Sequence, residues 1–387
     1  MLLVKEKITY KLGWLAIGTV IFSPLIVNIT MQILGFPFMV PELFFIPLFL
    51  IYKKDIQIKI NYSCLFIAII CLLLLLSISL LKNKFAIGAI VSTFRGYLYM
   101  FIAFSFFYNQ KLRSLDWLFY LSIGSLLGWI MVSIHVISNS LIDIKAVTGN
   151  ITALIFVISI PVILRKDKYL IPVIIICTIL LIFSGMRRLI VVAIVTFGLS
   201  LLLTILKQKI KNKIKYILFT IAVFAGYLFL YPTIETMLVN NSPELYRRLI
   251  LKSELLLNNN ASESDQFRHN MLVDFTKNIG NDIFPKGYVT KRSLDNDIYI
   301  DFPIYELSYM LGVFIFIILV LLLIFRLGVH LRQFLLLGVR ESGLCVIWGS
   351  VIILLLFIEG TFLNYPFVTP FTGYVLARIF SSKNLIA

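Results

Sequence analysis

The sequence predicts an all-α polytopic membrane protein of about twelve transmembrane helices with one large, mostly helical outer loop. Three observations predict it. The chain is 60% apolar and 14% aromatic, with a mean hydropathy of +0.98, well above what a soluble domain of this length carries. Its apolar residues gather in runs long enough to cross a hydrocarbon layer of about 30 Å. Residues 233–302, by contrast, form a long water-compatible stretch between an apolar run ending at Tyr231 and another starting at Pro303.

Taken in order, the apolar runs place spans at 13–34, 36–52, 62–81, 85–107, 117–138, 149–164, 169–185, 189–206, 216–232, 303–325, 343–359 and 361–380. This divides the chain into residues 1–232 with helices one to nine, the loop 233–302, and residues 303–387 with helices ten to twelve and a tail. The first run follows Lys5, Lys7 and Lys11 but is too long for the core of a secretion signal and has no small-residue cleavage site, so it is expected to stay as a span.

Alternate ends of the spans carry the basic residues: Lys53, Lys54 and Lys59; Lys111 and Arg113; Arg165, Lys166 and Lys168; Lys207 to Lys215; Arg326, Arg332 and Arg340. Short cytoplasmic loops are enriched in Lys and Arg, which predicts both termini in the cytoplasm and the 233–302 loop outside. The same distribution explains the formal charge of +16, because no basic face with interleaved aromatics appears and no nucleic-acid partner is expected. All four cysteines (Cys64, Cys71, Cys177, Cys345) lie in apolar runs, which leaves the loop without a disulfide or a thiol metal site.

Within the loop, Ser242-Pro243-Glu244 reads as a helix start, with a capping serine, proline in the first turn and an early acid. A second start at Ser262 to Asp265 leads into an apolar stripe of Phe267, Met271, Leu272, Phe275 and Ile279, closed by Gly280. Arg268 borders that stripe, and His269 follows it with Asp265 one helical turn before. His269 reads equally as a surface residue or as a base.

Other candidates are scattered along the chain. Arg95 lies inside the span 85–107 beside Ser92, Thr93, Tyr97 and Tyr99. A guanidinium at that depth costs at least about 2.5 to 3.5 kcal/mol without a partner or a cavity, so Arg95 either bonds carbonyls within the bundle or contacts a phosphate or sugar. Ser184-Gly185-Met186-Arg187-Arg188 joins two spans at an outer boundary, against the positive-inside trend. Guanidinium groups bind phosphate oxygens in a bidentate fork, which suits a lipid-linked phosphate or ordinary headgroups. Asp295-Asn296-Asp297 reads as a solvated turn or as an acceptor-binding or general-base carboxylate; a calcium loop fails because Ile300 stands where glycine is required. His135 in its span and His330 in a predicted cytoplasmic loop have no ligand-spaced neighbours. No metal and no cofactor is expected.

These parts together resemble a known family. Many spans, one large late outer loop, a Ser-Gly-x-Arg corner, a loop arginine followed by Phe284-Pro285-Lys286-Gly287-Tyr288, and an Asn/Asp-rich approach to a Leu311-Gly312-Val313 break are similar to the Wzy-type O-antigen polymerases and related ligases. The resemblance implies polymerisation of undecaprenyl-pyrophosphate-linked oligosaccharide repeat units, for O-antigen or a capsule-like polysaccharide, by metal-independent glycosyl transfer on the outer face of the bacterial cytoplasmic membrane. It implies pyrophosphate binding by Arg187, Arg188 and Arg95, chemistry at Arg268, and a proton acceptor at Asp297 or His269. Membrane lipid, a chain-length regulator and a flippase are the further partners it suggests. Ligases carry a histidine where this chain has Asp295, Asn296 and Asp297, which favours polymerase over ligase; a lipid-linked oligosaccharide flippase is the third reading.

Overall fold

The computed structural model describes residues 11–19, 62–82, 87–108, 116–138, 151–164, 166–184, 187–207, 283–287, 303–358 and 369–381, with short pieces and single positions between 214 and 277. Among the described residues every regular element is a helix. We name the segment 11–19 α1, then α2 (Tyr62–Lys82), α3 (Ile87–Phe107), α4 (Asp116–Ser138), α5 (Ile151–Ile163), α6 (Asp167–Ser184) and α7 (Arg187–Lys207). After the loop follow α8 (Pro303–Leu311), α9 (Val313–Leu337), α10 (Arg340–Ile358) and α11 (Thr369–Phe380).

From α2 to α7 the helix bounds match the apolar runs to within about two residues, because hydropathy alone decides where backbone must satisfy its own hydrogen bonds in lipid. By length and composition α7, α9 and α10 can each cross a membrane, and shorter apolar helices stand beside them. The expected span 36–52 lies outside the described residues, and so does most of 216–232.

The core is organised on α10. It packs against α5, α7, α8, α9 and α11, and its buried face runs from Ser342 through Trp348 to Leu356. The Trp348 indole donates to Ser159 Oγ on α5 at 2.9 Å, which removes one polar mismatch from an apolar interior. By contrast, α9 exposes Phe314, Ile317, Leu321, Ile324 and Phe325 along one side. A contiguous apolar surface of this kind is stable against acyl chains and not against water.

Helix α1 lies against α4, where Gly124 and Gly128 stand four residues apart. A Cβ at Gly128 would meet the Thr19 carbonyl, and one at Gly124 would meet that of Leu15. This is the small-residue spacing that lets two membrane helices approach at backbone distance.

Two ends of the bundle are chemically distinct. At one, Lys11 sits over Tyr120, Lys166 over Phe119 and Lys207 over Phe334, while an aromatic chain of Trp14, Trp117, Tyr374 and Phe107 ties α1, α4, α11 and α3 together. We call this the lysine end. At the other, the loop turn 283–287 meets α2, α8 and the start of α9. Of the basic residues that the sequence assigns to one side of the membrane, Lys166 and Lys207 lie at the lysine end.

The structure corrects two readings near the C-terminus. The run 303–325 is not one span: it breaks at Gly312 into the short helix α8 and the longer α9, which runs on to Leu337. His330 is consequently not in a loop. It is buried within α9, with Nε2 at 2.8 Å from the Ile379 carbonyl and Nδ1 at 3.4 Å from Ser342 Oγ. Ser342 in turn donates to Gln333 Oε1 at 3.0 Å.

Candidate functional site

The site is built where the chain returns from the long loop into the bundle. Proline at the first position of α8 supplies a φ suited to a helix start and lacks an N–H that would have no partner there. Four residues of this nine-residue helix point inward: Pro303, Glu306, Ser308 and Met310. Helix α8 stops because Gly312 adopts φ 79, ψ 144, a backbone state that side chains other than glycine resist.

The break has a partner. Ending α8 there leaves backbone carbonyls of its last turn to be satisfied, and the Lys286 N–H donates to Tyr309 O at 3.1 Å. The Lys286 ammonium lies 5.1 Å from the centre of the Tyr309 ring, and the backbone of Ile283 and Phe284 presses on Gly312. On its other side Gly287, with φ 84, packs on Ser79 of α2. The Pro-Lys-Gly turn and the Leu-Gly-Val break, separated by some two dozen residues in sequence, thus form one joint.

Beside that joint, the Tyr97 hydroxyl of α3 donates to Glu306 Oε1 of α8 at 2.9 Å, with both side chains buried. A carboxylate inside an apolar bundle is costly without hydrogen bonds, so the pair fixes α8 against α3, the helix that also carries Arg95. Discontinuous helices in membrane proteins are tolerated where they are covered by protein or line a cavity, and substrate sites are commonly built on them.

Comparison with family models, with curated proteins and with solved structures finds no match. The assignment of roles therefore rests on the sites themselves. Arg188 is half-buried on the first turn of α7, and α6 ends at Ser184; Gly185 and Met186 of the predicted corner lie outside the described residues. Arg187 opens α7 and Arg95 belongs to α3, but their side chains lie outside the described residues, as does that of His135. Arg268, His269 and Asp297 lie outside them altogether. Gln266, Asn270, Val273 and Lys277 are helical and exposed, which is one face of the predicted loop helix, and Pro243–Tyr246 forms a helical turn at the predicted first start.

Sequence reasoning missed Glu306. The signal was present, since an acid inside an apolar run is by default a functional candidate, but one charge did not disturb the count of a 303–325 span. It also missed the partly buried ion pair between Arg378 Nε and Glu341 Oε1, which joins α11 to α10 at the lysine end.

The joint carries a prediction. Gly312→Val would place a Cβ on the Ile283 carbonyl and force a β-branched residue to a positive φ. The turn is expected to leave its seat, read as tryptic cleavage after Lys286 that the wild-type protein resists under the same conditions. Wild-type resistance in the variant would show that the glycine break does not hold the turn.

Proposed function

We propose that this protein is a polymerase of lipid-linked oligosaccharides, acting at the outer face of a cytoplasmic membrane. In this reading twelve spans hold both termini in the cytoplasm, the lysine end faces inward, and the loop end faces the substrate. A sugar hydroxyl of a new repeat unit attacks the anomeric carbon of the growing glycan. The bond to undecaprenyl pyrophosphate breaks, its electron pair stays on the pyrophosphate oxygen, and the hydroxyl proton passes to a carboxylate or imidazole, with Asp297 and His269 as the loop's candidates. Arg187, Arg188, Arg268 and Arg95 would neutralise the leaving group.

The observation that supports this reading best is the joint at Gly312. It seats the turn 283–287, which follows Arg268 by about fifteen residues in the sequence, on a broken, polar stretch of the bundle beside α3, the helix to which Arg95 belongs. Preorganised cations aimed at developing negative charge are the largest single contribution available to a reaction of this type.

The test is elongation in a reconstituted system. Purified protein in vesicles, given undecaprenyl-pyrophosphate-linked repeat units, should yield a ladder of longer glycans, and EDTA should leave the ladder intact. A purified protein that joins no repeat units refutes the function; a ladder lost to EDTA and restored by magnesium or zinc makes the loop aspartates metal ligands. Reporter fusions test the topology separately. Those after Lys54, Lys168 and Lys211 should read cytoplasmic and those after Asn260 external, and an internal signal at Asn260 would end the proposal.

A further inference from the structure

Three lysines from two separate chain segments converge on touching aromatic rings where α4 and α6 begin. Lys11 Nζ lies 5.4 Å from the centre of the Tyr120 ring, Lys166 Nζ 5.6 Å from that of Phe119, and Lys168 Nζ 4.9 Å from that of Tyr169. The rings contact one another, with Phe119 at 5.7 Å from Tyr120 and 5.1 Å from Tyr169. Phe119 is buried at the base, Tyr120, Tyr169, Lys11 and Lys166 are half-buried around it, and Lys168 is exposed, so the cluster opens outward.

The connection between α5 and α6 is held in shape by its own backbone. Lys166 N–H donates to the Pro161 carbonyl at 2.9 Å, and Tyr169 N–H to the Lys166 carbonyl at 2.8 Å. The backbone that carries Lys166 and Lys168 is thereby set before any ligand arrives, which lowers the ordering cost of binding. Among the described residues none of the three has a carboxylate partner at ion-pair distance. The flanking sequence adds Lys111, Arg113 and Arg165 against Asp116 and Asp167, so positive charge stays in excess.

From this we infer that the Lys11–Lys166–Lys168 cluster is a seat for the headgroup of an anionic glycerophospholipid. The chemistry is matched at each level. A lysine ammonium binds phosphate oxygens as a point charge, and three from different positions can surround one phosphodiester. Aromatic rings at this depth take the glycerol and upper acyl region, as they do at membrane interfaces generally. If the lysine end faces the cytoplasm, it also faces the leaflet rich in anionic lipid. The inference stands on these contacts and not on the glycosyl-transfer reading.

Native mass spectrometry of the full-length protein released from nanodiscs of equal phosphatidylglycerol and phosphatidylcholine tests it. Retained phosphatidylglycerol is the expected result, and replacing Lys11, Lys166 and Lys168 together by Gln should lower that retention by at least about tenfold without changing phosphatidylcholine. The matching triple Arg variant keeps the charges and should keep the lipid, which separates loss of binding from loss of fold. Lys207→Gln, at the lysine that faces Phe334, should have little effect. Equal retention in the Gln triple variant, or an equal loss in Lys207→Gln, overturns the site. Displacement of the lipid by millimolar glycerol phosphate would show a soluble phosphate-ester site instead and overturn the lipid assignment.

Discussion

Arg268→Ala should leave only monomeric or very short repeat units on the lipid carrier while the protein reaches the membrane at wild-type level. The argument starts from helical spacing. Gln266, Asn270, Val273 and Lys277 are helical and exposed, and on the helix that the sequence predicts here a residue two positions from the first two of these falls on the opposite side. That is the side of the apolar stripe Phe267, Met271, Leu272 and Phe275, which can dock the helix without help from the arginine. About fifteen residues further on, the turn 283–287 is fixed at the bundle, so the tether is short. A guanidinium so placed interacts with the pyrophosphate more strongly as the glycosidic bond breaks and charge grows on the bridging oxygen. By comparison with a typical oxyanion donor, the loss is about 3 to 4 kcal/mol, or some hundred- to thousandfold in rate. Arg268→Lys keeps the charge but loses the two-pronged geometry and should remain impaired. Wild-type ladders at wild-type protein level in Arg268→Ala would move the role to Arg187 and Arg188.

Among the described residues most of the helical frame was legible in the sequence because one force sets it. Segments such as Tyr62–Lys82 and Arg187–Lys207 are apolar on every side, and in lipid the helix is the state that satisfies their backbone. The reading failed where burial and hydropathy part company. Arg326 and Arg332 looked like the end of a span, yet α9 continues through both, since arginine is a good helix former and its long stem carries the charge to the interface. The inward stripe of Leu323, Leu327, His330 and Phe334, spaced by four, three and four, was a sign that the helix ran on. The site was legible in its pieces and not in their assembly. The turn at 285–287 and the glycine at 312 each stood out, but their contact depends on a carbonyl of Tyr309 and a face of Ser79 that no local pattern announces.

Arg378→Leu is expected to destabilise the bundle more than any other single substitution at the lysine end. Arg378 is 1% exposed and Glu341 16%, so removing the guanidinium leaves a largely buried carboxylate without its countercharge. Breaking one side of such a pair costs about 3 to 5 kcal/mol, because the desolvation already spent on the remaining charge is no longer offset. That is a large share of the roughly 5 to 15 kcal/mol that typically holds a domain together. The loss should spread to α9, whose His330 rests on the carbonyl of Ile379, the residue next to Arg378. Removing both charges tests the cause. Glu341→Leu combined with Arg378→Leu replaces the pair by apolar volume and should recover much of the stability lost in either single variant. Melting of the purified protein in detergent measures all four forms of this cycle. Additive losses in the double variant would mean that the two side chains act independently, and that their contact does not stabilise the joining of α10 to α11.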